Sequence, residues 1–198
     1  MDLREFHGCK ATDHTNGKTL SSPTAPFKPL AKAPLSSFQS ASATFSASWT
    51  EQYDQAGLLL SFHPSTPSSS SSTAATTTPS SIPPRWIKTG LEYYLSRPNL
   101  STVCCTTSAD WSVAPVPSSS SQDVTIIARK EQDENGTSLW VYHRDSEGKE
   151  MPLREVCWVF ENEGQGWDVE VSAFAARPEG GVGTGLEVAF REVVVKWE

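Results

Sequence analysis

The chain has no apolar run near the ~18–20 residues that a membrane-crossing helix needs. Its opening, Met1-Asp2-Leu3-Arg4-Glu5-Phe6-His7, has no apolar segment of the kind a secretory leader carries. These absences lead us to expect a cytoplasmic protein. The four cysteines, Cys9, Cys104, Cys105 and Cys157, are then expected to be reduced thiols. Their spacing fits no zinc pattern. Positive charge is also scarce: 16 Lys and Arg stand against 23 Asp and Glu, a net charge of -7. Phosphate recognition needs clustered Lys and Arg, so no nucleic-acid partner is expected, and no anionic membrane surface.

Several catalytic signatures are missing too. His7, His14, His63 and His143 are scattered, with no H-E-x-x-H spacing, so no metal site is expected from them. A calcium site built from loop carboxylates remains open, although Glu131, Asp133 and Glu134 read more simply as a solvated turn. No Gly-x-Ser-x-Gly elbow, P-loop or dinucleotide fingerprint occurs. The run Gly180-Gly181-Val182-Gly183-Thr184-Gly185 lacks a following Lys and reads as a turn before the last strand. No cofactor is expected.

What is present is a β-protein interrupted by polar tracts. The apolar fraction is 37%, below the ~45–50% usual for globular domains, because Ser, Thr and Pro dilute it. Residues 65–83 are almost entirely Ser, Thr, Ala and Pro. Such a stretch buries too little apolar area to offset its ordering entropy, so we expect a flexible low-complexity loop. Residues 114–122 suggest a second flexible loop. Residues 1–44 carry scattered prolines and no sustained period, which suggests a loosely ordered lead-in with one or two short strands. We expect one domain over 1–198.

The remainder alternates with period two. Trp49 to Leu60 and Arg85 to Tyr94 read as neighbouring strands separated by the low-complexity tract. Arg97-Pro98-Asn99 reads as a turn. Val124 to Lys130 and Ser138 to Arg144 flank Asn135-Gly136, whose residues tolerate the positive φ of a type I′ turn, so a hairpin is expected. Leu153 to Phe160, Trp167 to Ala176 and Gly185 to Trp197 complete the strands, the first being preferred over a short helix because of Val156, Trp158, Val159 and Phe160. No βαβ alternation appears. Many short strands joined by Gly, Pro and Asn turns indicate an all-β sandwich or barrel.

Three segments carry a family resemblance: Tyr53-Asp54-Gln55-Ala56-Gly57-Leu58, Trp86-Ile87-Lys88-Thr89-Gly90-Leu91-Glu92, and Ser108-Ala109-Asp110-Trp111-Ser112. Together they resemble the regulation-of-enolase-like family, domain of unknown function 1349. The Arg177-Pro178 region resembles its closing motif, and the likeness runs from about Phe45 to Trp197. It implies a concanavalin A-like jelly-roll sandwich of two antiparallel sheets. It implies no established activity. The low-complexity insert separates the first two motifs, and the segment before Phe45 matches weakly.

Period-two geometry puts Tyr53, Gln55 and Gly57 on one side of a strand, and Trp86, Lys88, Gly90 and Glu92 on one side of another. Rings beside amide and charged groups suit a sugar-like or planar ligand. Gly90 removes a side chain between Lys88 and Glu92 and suggests a shallow groove. The plainer reading is a solvated face on which Lys88 and Glu92 form a modest ion pair. Trp111 either lines the end of the groove or packs under a loop beside a turn-capping Asp110. Trp140 and Tyr142 share a strand face and join the candidate ligand set, whereas His143 reads as structural.

Catalysis has weaker support. Glycanases of this sandwich type commonly carry a Glu-x-Asp-x-x-Glu cluster on one strand, and none is found. Three functions are therefore carried forward. The first is a non-catalytic binding module for a carbohydrate or other small ligand. The second is a regulatory module with a protein partner. The third is an isomerase, cyclase or lyase using Glu92 or Asp54 with Lys88 in an aromatic groove.

Overall fold

A computed structural model describes residues 6–7, 27–65, 85–117, 123–179 and 185–198. Two stretches expected to be flexible, within 65–83 and 114–122, lie largely outside these, as does most of the glycine run. Twelve strands are described. They are β1 (Phe6–His7), β2 (Phe27–Pro34), β3 (Phe38–Ala47), β4 (Gln55–Pro64), β5 (Arg85–Tyr94) and β6 (Arg97–Cys105), followed by β7 (Ala109–Pro115), β8 (Val124–Asp133), β9 (Gly136–Arg144), β10 (Glu150–Val156), β11 (Trp167–Ala176) and β12 (Glu187–Trp197). Two six-stranded sheets result. Sheet A runs β1-β12-β3-β8-β9-β10 and sheet B runs β2-β11-β4-β5-β6-β7. Every pairing is antiparallel. The all-β sandwich expected from the sequence is present.

The core forms where the inward faces meet. Phe38, Phe45, Phe62, Leu58, Leu60, Ile87, Ile126 and Leu139 are fully buried there. In β4 every residue from Gln55 to Phe62 is buried. This central strand is covered on both faces, and so it reads Leu58-Leu59-Leu60 where a half-exposed strand would alternate.

Several boundaries differ from expectation. The lead-in read into residues 1–44 contributes β2 and most of β3, and β3 is a central strand with Phe38, Ala41, Ala43 and Phe45 buried. Its alternation is carried by Ser and Ala, which weakens the hydrophobic signal. The strand read from Trp49 starts only at Gln55. Before it the chain turns, with the Thr50 and Glu51 amides donating to Asp54 Oδ2 at 3.1 and 3.0 Å and Tyr53 at φ 64°. Arg97-Pro98-Asn99 lies inside β6. The turn is Leu95-Ser96, both left-handed at φ 52° and 60°, and Asn99 Nδ2 steadies it by donating to the Tyr94 and Arg97 carbonyls. At the β8–β9 hairpin only Gly136 takes positive φ, at 128°, so the turn is not type I′. The strand read over 153–160 ends at Val156 and passes through a turn into the 3-10 segment Glu161–Gly164.

Candidate functional site

The outward face of sheet B holds most of the residues singled out from the sequence. Strand register arranges them in rows across β11, β4, β5, β6 and β7. One row is Ala176, Gln55, Glu92, Asn99 and Pro115, and the next is Phe174, Gly57, Gly90, Ser101 and Val113. The third is Ser172, Leu59, Lys88, Val103 and Trp111, and the fourth is Glu170, Ser61, Trp86, Cys105 and Ala109. An apolar cluster of Leu59, Trp86, Val103, Cys105 and Phe174 lies on this face, separate from the main core.

Two polar chains cross the face. Trp111 Nε1 donates to Ser101 Oγ at 3.0 Å, and Ser101 Oγ donates to Glu92 Oε2 at 2.8 Å. An indole that is 43% exposed is thereby tied to a carboxylate whose residue is 7% exposed. The second chain runs from the Lys88 ammonium to Gln55 Oε1, and Gln55 Nε2 donates to the Tyr53 carbonyl at 3.1 Å. Lys88 Nζ also lies 5.7 Å from the Phe174 ring centroid, within cation–π range. Burial pushes the Lys88 ammonium below the usual lysine range, partly opposed by the charge of Glu92. The ion pair considered between Lys88 and Glu92 is absent from the described salt bridges, since each group has taken a neutral partner.

Beside these chains runs an aromatic shelf. Tyr53 stacks on Tyr94 at 6.0 Å, and Tyr94 meets Trp111 edge-on at 5.1 Å. The left-handed Tyr53 backbone, fixed by the turn that Asp54 caps, brings its ring to Tyr94. Gly57 and Gly90 sit opposite each other between the chains. A Cβ on Gly90 would come within 1.9 Å of the Ala56 carbonyl oxygen, and one on Gly57 within 2.1 Å of that of Thr89. The pair therefore serves close approach of the two backbones as well as keeping the face low. The niche bounded by Gln55, Lys88, Glu92, Ser101 and Phe174 is narrow, so the accessible part of the face is its rim.

Five of the singled-out residues lie elsewhere. Trp140 and Tyr142 belong to β9 in sheet A and stack on each other at 6.0 Å. Tyr142 donates to Glu131 Oε1 at 2.9 Å and lies under the Arg129 guanidinium, which in turn bonds Glu150 at 2.9 Å. They cannot share a groove with Lys88, because period-two reasoning assigns a side within a strand but not the sheet to which the strand belongs. Asp54 is fully buried. Its Oδ1 and Oδ2 accept from Arg177 Nε and Nη2, each at 2.7 Å, in addition to the two backbone amides. A carboxylate so fully engaged is a structural anchor, and it joins the first family motif to the closing one. Asp110 pairs with Arg154 from within β7, where a turn cap was considered. His143 is buried at 1% exposure, and burial lowers its pKa, with Asp145 opposing. Among the described residues no cluster of His, Cys, Asp or Glu could hold a metal ion.

Sequence reasoning missed Ser101, Tyr94 and Phe174. Ser101 looked like one polar residue in a β-rich run, and Tyr94 like a strand end. Phe174 is remote in sequence and joins the face only through the β11–β4 pairing. Cys104 and Cys105 face opposite ways and are both buried. Burial pushes the Cys104 thiol up to about 11, with Asp110 and Cys105 adding to the rise and Arg154 opposing it. No described helix is long and apolar enough to cross a membrane.

Comparison with known proteins agrees with the fold. An uncharacterized protein of Emericella nidulans is 34% identical over 163 residues, which cover 82% of this chain and 70% of that protein. A crystal structure of a functionally unknown protein from Saccharomyces cerevisiae superimposes with a TM-score of 0.67 at 18% identity, covering 98% of this chain and 87% of the other. At that identity the likeness shows the fold alone, and the two-sheet arrangement fits a concanavalin A-like sandwich. The model of the family described as "Protein of unknown function (DUF1349)" matches residues 14–197, and the chain belongs to that family.

Proposed function

We propose that the protein is a binding module whose ligand, a carbohydrate or a similar polar ring, seats on the outward face of sheet B. The observation that carries this reading is the link from the half-exposed Trp111 through Ser101 to Glu92, set beside the Tyr53–Tyr94 pair. A sugar ring offers an apolar face to stack on aromatics and hydroxyls at its edge to meet fixed polar groups. The hydrogen bond holds the indole at a set angle, which reduces the ordering cost on binding. A glycan array probed with the full chain and with Trp111→Ala tests the idea. The expected result is a discrete set of bound glycans whose affinity falls at least about tenfold in the variant, equivalent to about 1.4 kcal/mol. A blank array, or an unchanged affinity in a folded variant, would sink it.

One observation favours a second reading, a protein-interaction module. Trp111 and Val113 are exposed at 43% and 42% on β7, an edge strand of sheet B, and edge strands accept added strands. The enzymatic alternative has less to draw on, because Asp54 is held by Arg177 and Glu92 is the carboxylate left near Lys88.

A further inference from the structure

We infer a second binding site, a cavity at one end of the sandwich that takes a neutral, largely apolar small molecule carrying an acceptor oxygen such as a carbonyl. The cavity measures about 850 Å³, within the ~300–1,000 Å³ usual for small-molecule sites. Both sheets contribute to it. Ala47 of β3, Val124 of β8 and Glu187 of β12 come from sheet A, and Leu91 of β5, Pro98 of β6 and Pro115 of β7 from sheet B. Its floor is the end of the main core, where Leu91, Val124 and Leu186 are at most 3% exposed. Trp49 and Val116 also line it and are only partly buried. Apart from Pro115 the cavity shares no residue with the four rows of the sheet B face, so this site stands independently of the sugar-binding reading.

The lining charges exclude a strongly ionic ligand. Arg177 is balanced by the buried Asp54, and Glu51 adds further negative charge near it. Arg97 and Glu187 line the cavity too, one of each sign. An ion of either sign would leave water for walls that hold both signs and are otherwise mostly apolar, a costly exchange. A neutral body avoids that cost. The donors supply its polar anchor. The Arg177 side chain is 15% exposed. Its Nε and Nη2 donate to Asp54, and Nη2 also donates to Thr50 Oγ1 at 3.1 Å. Nη1 carries two N–H groups, and one donates to the Gly185 carbonyl at 3.3 Å. The other has no acceptor among the described residues. A guanidinium held this firmly loses little freedom when it donates once more. The Trp49 indole N–H, also without an acceptor among the described residues, is a second donor, and its ring offers a stacking surface. A flat apolar body with a carbonyl oxygen suits both.

The probe is prodan, a neutral naphthalene ketone whose emission moves to the blue away from water. Titrated into the full chain, it should bind saturably, one molecule per chain, with a blue shift. Anilinonaphthalene sulfonate, an aromatic probe that bears a negative charge, should bind at least about tenfold more weakly. Ala47→Phe and Ser48→Trp each add bulk at a residue that lines the cavity. Each should weaken prodan at least about tenfold, with the fold checked by circular dichroism. Should Ala47→Phe fail to fold, Ser48→Trp decides the question, because Ser48 is exposed and tolerates the change. Trp111→Ala, on the outward face of sheet B, should leave prodan binding as it is. Absence of a saturable blue shift, unchanged binding in folded Ser48→Trp, or loss of binding in Trp111→Ala would overturn this site. Equal or tighter binding of the anionic probe would overturn the neutral ligand class. The glycan array and Trp111→Ala test the sugar-binding reading separately, so either reading can fail alone.

Discussion

Lys88 is the residue whose position most needs explaining. A lysine on a sheet face ordinarily extends into water, yet this one lies over Phe174 and donates to an amide. Its lowered pKa has a signed consequence. The unfolded chain holds the Lys88 proton up to about the ordinary lysine pKa, whereas the folded protein releases it earlier. Between the folded value and 10.5 the unfolded state therefore binds more protons, and stability rises with pH across that window. Urea denaturation at a series of alkaline pH values should show this rise in the wild type and its loss in Lys88→Met. Asp54 gives the opposite kind of case, a buried charge that is fully compensated. Replacing Arg177 with Met leaves the carboxylate at 0% exposure with only backbone donors. Breaking such a pair from one side costs about 3–5 kcal/mol, to be read as a fall in the denaturation midpoint.

At the scale of elements, β4 and β5 position the whole site. Their glycine pair brings the backbones together at the centre of the face. Gly90→Ala should destabilise by about 1–3 kcal/mol, in the range for forcing atoms into filled space, and equilibrium unfolding would measure it. A neutral effect would mean that the strands part easily. Much of this arrangement was legible in the sequence. Trp86, Lys88 and Glu92 do share one side, and Gln55 meets Glu92 across the ladder. Trp140 and Tyr142 show where that legibility stops. Their alternation is as clear as that of β5, but sheet membership is decided by long-range pairing, and β9 pairs with β8 and β10. One or two short strands were expected within residues 1–44, but β3 was not located, for a local reason: Ser and Ala at alternating positions lower the apolar contrast even where Phe38 and Phe45 are fully buried.

For the whole molecule, acid should loosen the sandwich through sheet A. The Glu150 carboxyl is held below the usual range by hydrogen bonds from Arg144 and Arg129, against the opposing effect of burial. Its contribution is present above about 4.5 and is lost as pH falls through the lower folded value. His143 acts earlier. Because burial lowers its folded pKa, the unfolded chain takes up a proton below about 6.5 while the folded one resists, and stability falls with pH from there. A melting-temperature series from pH 7 to 3 should decline in two stages, with His143→Gln flattening the first. Strand pairing also bears on residues 66–84. Phe62 pairs with Arg85, so the ends that this stretch connects are neighbours, and replacing it with a short turn should shift the melting temperature by only a few degrees. A large fall would show that it contributes packing.

Tryptophan indoles report directly where a ligand seats on the sandwich. In ¹H–¹⁵N spectra of the full chain titrated with a glycan bound on the array, the half-exposed Trp111 indole N–H resonance should shift saturably, while those of Trp140 and Trp197 stay fixed. Saturable shifts confined to Trp140 on sheet A, or to Trp49 after β3, would put binding on a surface other than the outward face of sheet B.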